Sequence, residues 1–188
     1  MRKLLYAFGL TSALVFALAA HAAAPNFAGT WTLDKSKSQG LSQRMQNAEG
    51  ISWVITQTDK DITIEEKVTG GGGPGGPGGP PPAGAPAGGP AGGGGRGMMG
   101  GPRTYNLDGS ETTGDMGRGK FARKATLSSD GKTLELVQKV TGQGQDGTEF
   151  TFTSTDKLTL SADGKVLTAV RHSESPRGPQ DSTLVFNK

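Results

Sequence analysis

Along the chain, Ile62, Ile64 and Val68 alternate with Thr63, Glu65 and Lys67, the two-residue period of a strand with one face buried. Comparable short runs occur at Thr30–Leu33, Ile51–Thr58, Phe121–Leu127, Thr133–Val140, Thr148–Thr153, Lys157–Leu160, Val166–Arg171 and Ser182–Phe186. Between them lie Asp108-Gly109, Asp130-Gly131, Asp146-Gly147 and Asp163-Gly164, dipeptides whose glycines accept the positive φ of tight hairpins. The pattern predicts an all-β chain built from sequential antiparallel hairpins. Two of these hairpins are near copies, Thr126–Leu134 and Thr159–Leu167, each carrying a Ser-x-Asp-Gly-Lys-x-Leu turn. That likeness fits either an old duplication or similar turns on similar strands. One short helix is predicted within Gln39–Ala48, where Leu41, Met45 and Ala48 share a face.

Eight or nine local strands favour an up-and-down barrel, because closure removes exposed edges; a two-sheet sandwich is the alternative. The strand pattern is interrupted between Gly70 and Arg103, where 18 of 34 residues are Gly and 8 are Pro. Such a segment has almost nothing to bury against its ordering entropy, so it is read as a disordered insertion in a surface loop. The runs Gly71-Gly72-Gly73 and Pro80-Pro81-Pro82 break any collagen period. What is left forms one compact domain over residues 23–188, interrupted by 70–103.

Residues 1–22 change the charge argument. Arg2 and Lys3 precede an apolar run from Leu4 to Ala20, and Ala20-His21-Ala22 supplies a small-x-small cleavage site, the features of a secretory signal peptide. The expectation is therefore a periplasmic or secreted protein with no integral membrane span after cleavage. An outer-membrane barrel would need aromatic girdles and longer strands. Cleavage leaves 18 basic against 17 acidic residues, so charge offers no case for nucleic acid as a partner. It also leaves His172 as the single histidine of a chain without cysteine.

That inventory is thin for catalysis. One histidine and no cysteine cannot supply a structural zinc site, and no metal or cofactor is expected. His172, Ser173 and Glu174 alternate across a strand and cannot converge as a triad. The sequence Gly114–Lys120 satisfies G-x-x-x-x-G-K, yet Phe121 stands where a magnesium-binding hydroxyl belongs. Gly142–Gly147 satisfies G-x-G-x-x-G but falls in a hairpin turn. Asp108, Glu111 and Asp115 cluster in one loop at spacings that fit no EF-hand. Glu65, Glu66 and Glu135 would carry an enzymatic role only if they faced inward.

The segment Asn26-Phe27-Ala28-Gly29-Thr30-Trp31-Thr32-Leu33 resembles the F-x-G-x-W opening of calycin-type barrels, the lipocalins and fatty-acid-binding proteins. With Asp34–Ser38, the Ser128 and Ser161 turns and the closing strand Ser182–Lys188, the chain most resembles exported bacterial lipocalin-like proteins of uncharacterised function. The resemblance implies structural roles for Gly29 and Trp31, the tryptophan closing one end of a lipocalin-like barrel. It also implies a non-enzymatic domain that takes a small apolar ligand. Fatty-acid-binding proteins hold a carboxylate with Arg and Tyr in their last strands, whereas Leu184–Lys188 contain neither. Trp53, Phe150, Phe152 and Arg171 are the ligand-binding candidates, three for aromatic area and Arg171 as the nearest charged anchor. The alternative is an envelope scaffold that contacts protein partners through the Gly/Pro-rich segment.

Overall fold

A computed structural model describes residues 25–70, 101–116, 119–144 and 147–188. The leader at 1–22 and nearly all of the Gly/Pro-rich insertion lie outside these residues, as does Asp146 of one expected turn. Ten strands and one short helix follow in order: β1 (Gly29–Leu33), α1 (Gln43–Asn47), β2 (Gly50–Gln57), β3 (Asp61–Thr69), β4 (Arg103–Asn106), β5 (Thr112–Met116), β6 (Gly119–Leu127), β7 (Thr133–Gln143), β8 (Glu149–Leu160), β9 (Val166–Ser175) and β10 (Gly178–Asn187).

All ten strands belong to one antiparallel sheet in the order β4-β3-β2-β1-β10-β9-β8-β7-β6-β5. Chain neighbours pair except β4 with β5, and β1 joins β10 through Thr32↔Asn187 and Leu33↔Phe186. The sheet curls until β4 and β5, its two ends, lie side by side without a ladder between them. The result is an up-and-down barrel with one open seam, which excludes the two-sheet sandwich.

Alternation sets which side chains face inward. On β7, Leu134, Leu136, Gln138 and Val140 are buried while Glu135, Val137 and Lys139 are not. On β8 the inward set is Phe150, Phe152, Ser154, Asp156, Leu158 and Leu160. One half of the interior is packed solid by Phe27, Trp31, Ile62, Leu134, Leu158, Leu167, Leu184 and Phe186, all essentially without solvent contact. Helix α1 packs from the side, Met45 with Leu41 against this core, and Ser42 Oγ caps it by accepting from the Met45 N–H.

The strand pattern differs from expectation in four places. The runs Thr148–Thr153 and Lys157–Leu160 are a single strand, β8, which continues through Asp156 because Arg171 satisfies that carboxylate inside the barrel. Arg103 is the first residue of β4, pairing with Ile64, and is not part of the insertion. Asp115 sits on β5 opposite Lys120, so it does not share one loop with Asp108 and Glu111. Strand β9 also runs on to Ser175, which places His172 within the strand and not at its end.

Candidate ligand-binding site

The barrel register builds the interior in layers. In the lower layers Leu134 pairs with Leu158, Leu158 with Ala169 and Ala169 with Leu184. One rung higher stand Ala125, Leu136, Asp156, Arg171 and Ser182; the next carries Thr112, Arg123, Gln138, Ser154, Ser173 and Gln180. Above these come Gly114, Phe121, Val140 and Phe152, and then Gly119, Gly142 and Phe150. A polar floor therefore lies between a filled apolar half and a partly open aromatic half.

Polar groups of the floor are held in fixed partnerships. Arg171 grips Asp156 with two hydrogen bonds, Nε to Oδ1 at 2.6 Å and Nη2 to Oδ2 at 3.1 Å, the fork geometry that makes guanidinium–carboxylate pairs strong. Arg103 approaches the same carboxylate at 3.9 Å. Both guanidiniums lie over the Trp53 indole, at 5.5 Å for Arg171 and 5.9 Å for Arg103, within cation–π range. Trp53 stacks at a tilt on Phe186 and donates its indole N–H to Glu66 Oε2 at 3.3 Å. Burial disfavours charge on Arg171, but Asp156 outweighs it and holds the guanidinium's pKa above its ordinary value.

Arg123 is held differently. It is 6 % exposed, donates from Nε to Gln138 Oε1 at 3.0 Å, and stacks 4.2 Å from the Phe121 ring centroid. No ion pair joins it to a carboxylate among the described residues. Burial, with repulsion from Arg103, lowers its pKa although the Tyr105 phenol opposes the shift. Tyr105 is itself buried, and desolvation raises its pKa despite the three surrounding arginines.

The residues singled out from sequence fall into distinct places. Trp53 and Arg171 meet in the polar floor. Phe150 and Phe152 share the inward face of β8 above it and are half-buried. Trp31 stands opposite Trp53 in the β1–β2 register, is buried, donates its indole N–H to the Phe27 carbonyl at 2.8 Å, and is covered by the Lys188 ammonium 5.2 Å from its ring. Gly29 adopts φ 142°, and a β-carbon there would press on Lys188.

Of the acidic candidates, Glu65 and Glu135 pair with Lys67 and Lys157 on the outer surface, and Glu66 bonds to Trp53. His172 is on the outer face beside Asp181. Among the described residues no three acidic or histidine side chains are grouped as metal ligands, and no helix is long and apolar enough to cross a membrane.

Sequence reasoning missed Arg103, Tyr105, Thr112, Arg123, Gln138 and Asp156. A signal for several of them was present, since Arg123 shares the inward period with Phe121 and Ala125, and Asp156 shares it with Ser154 and Leu158. A charged residue inside an otherwise apolar inward set marks a buried polar site as readily as a break in a strand.

The chain matches no protein-family model and no curated protein. Among solved structures it is similar to the zebrafish ileal bile acid-binding protein, crystallised with cholic acid, at 12 % sequence identity. The alignment covers 86 % of this chain and 98 % of that one, with a TM-score of 0.43.

Proposed function

We propose that this is an exported, non-enzymatic barrel that binds one small apolar molecule in the aromatic half of its interior. The observation that carries the reading is the contrast between the two halves. Below the floor the large inward side chains are buried apart from Leu127 and Leu160 at the strand ends, whereas above it Phe121, Phe150 and Phe152 face inward and all keep part of their surface open. Apolar inward surface left unpacked next to a few fixed polar groups is the usual composition of a small-molecule site. Trp53 and Arg171 close that chamber from beneath, and the ligand's apolar body lies against Phe150 and Phe152. Export rests on residues 1–22, and the periplasm or the medium is the proposed location.

Native mass spectrometry of protein recovered from the envelope or medium of its own cells tests both halves of this proposal. The expected species begins at Ala23 and carries one bound small molecule. Titration of the emptied protein with the uncharged fluorophore N-phenyl-1-naphthylamine should then saturate at one site per chain. Replacing Phe150 and Phe152 together by serine should weaken that binding by about tenfold or more, the scale of two lost buried aromatic contacts. A chain that is isolated empty and gives no saturable response overturns the ligand reading. A chain that keeps residues 1–22 overturns export.

A further inference from the structure

The polar floor contains an imbalance that its own residues do not resolve. Three guanidiniums, Arg103, Arg123 and Arg171, face two carboxylates, Asp156 and Glu66, so one formal positive charge is left over. Asp156 is taken by Arg171 at 2.6 Å, and Glu66 is engaged by the Trp53 indole. The surplus falls on Arg123, whose partners are an uncharged amide and an aromatic ring. A buried cation without a counter-charge is costly, and folded proteins carry one chiefly where something else supplies the charge.

A second, independent observation points to the same place. Thr112 Oγ1 is the one buried side-chain polar atom among the described residues that has no hydrogen-bond partner. Thr112 stands directly opposite Arg123 in the β5–β6 register, and opposed residues of an antiparallel pair project from the same face. The unsatisfied hydroxyl and the uncompensated guanidinium therefore share one rung. Arg103 is on β4, across the seam where no ladder ties β4 to β5. Its charge is close enough to disfavour that of Arg123. Two like charges and a spare hydroxyl thus line the one break in the barrel wall.

We infer that a single anionic headgroup binds across this seam, accepting from Arg103 on β4, Arg123 on β6 and Thr112 on β5, and that the ligand is an amphipathic monoanion of the carboxylate or sulfonate class. The inference rests on the barrel-ligand reading above and adds the ligand's charge and the position of its head. Guanidiniums offer only donors and the threonine hydroxyl can supply one more, so the matching group is an acceptor with several lone pairs. A monoanion cancels the surplus of one, while a dianion leaves a buried negative charge in its place. Phe121 lies against the Arg123 guanidinium and leads from the headgroup to Phe152 and Phe150, where the apolar part is placed. The site draws on β4, β5 and β6 and uses no residue of the last strand.

Competition on the emptied full-length domain loaded with N-phenyl-1-naphthylamine tests the inference, with dodecanoate and dodecanol as competitors of equal chain length. Dodecanoate is expected to displace the fluorophore at about tenfold lower concentration, the scale of charge-assisted hydrogen bonds in a buried site. The ratio of the two potencies, measured within each variant, should fall to near one in Arg123→Met and in Arg103→Met. It should fall partway in Thr112→Val and be largely retained in Arg123→Lys. Arg123→Met removes an uncompensated buried charge, so it is expected to fold. If the fluorophore binds and the two competitors are equipotent, the anion site is overturned while the apolar chamber stands. A preference for dodecanoate that survives both methionine variants overturns the assignment to these arginines. Failure of the fluorophore to bind at all overturns the chamber instead.

Discussion

Among single residues, Asp156 has the largest task. It is 3 % exposed and is the one buried carboxylate among the described residues, bonded to Arg171 and near Arg103. Replacing it by asparagine takes from Arg171 its hydrogen-bonded counter-ion and leaves only the more distant Glu66. Losing one partner of a buried pair costs about 3–5 kcal/mol, whereas exchanging both for apolar residues is often close to neutral. Urea unfolding should therefore show Asp156→Asn strongly destabilised, and Asp156→Leu combined with Arg171→Met should recover most of the loss.

His172 offers a smaller effect of known sign. Its Nδ1 lies 2.6 Å from Asp181 Oδ1 and its Nε2 3.7 Å from Glu174, and the hydrogen bond with Asp181 raises its pKa above the ordinary 6.5. A raised histidine contributes stability in full below its unfolded value and loses it as pH rises through the folded value. The unfolding midpoint should therefore decline modestly from pH 6 to pH 8.5, and Asp181→Asn should flatten that part of the profile. The decline is modest because the pair is exposed to solvent.

Among the elements, strands whose apolar residues alternate cleanly were legible from the sequence, and those whose stability depends on neighbours were not. Strands β2, β3, β6, β7 and β10 follow their apolar period, whereas β4 and β5 are short and carry Asn106, Gly114 and Asp115. They are strands because β3 and β6 pair with them. Gly114 shows the dependence directly, since the Phe121 ring occupies the space where its β-carbon would be, 2.7 Å away.

The two similar hairpins use one device. In each, the serine hydroxyl bonds to the aspartate Oδ1, the lysine N–H donates to the same oxygen, and the next strand's first N–H donates to the serine Oγ. The hydrogen bonds from Ser128 and Ser161 hold Asp130 and Asp163 below the usual carboxylate pKa. This shared turn gives the repeated residues a common structural task. Because β4 and β5 are each paired on one side only, their amides should exchange with deuterium well before those of β7, β8 and β9. Hydrogen-exchange mass spectrometry checks this order, which uniform protection around the barrel would contradict.

At the scale of the whole molecule, the all-β class and the sequence of hairpins could be read in advance, because each depends on residues close together in the chain. The barrel itself depends on β1 meeting β10, a contact between residues near 32 and 187 that no local period encodes. The same holds for the polar floor. Arg103, Arg123 and Arg171 come from three separated strands, and only closure of the wall makes them neighbours. Trp53 and Arg171 were recognisable one at a time, as a large aromatic and a lone basic residue on separate runs. Their convergence over Asp156 was not, because Asp156 fell in the break between the runs Thr148–Thr153 and Lys157–Leu160.

The seam also decides where the chain can be recut. In a fully laddered barrel every hairpin connection joins hydrogen-bonded partners, but the link from Leu107 to Glu111 joins two strands that share no ladder. The first and last strands, β1 and β10, are paired neighbours. A permuted domain that begins at Thr112 and finishes at Asn106, with β10 linked to β1, would keep every strand pairing of the parent. That short link is thus the one covalent clasp on the hoop, and opening it would leave the ten strands as a continuous ribbon.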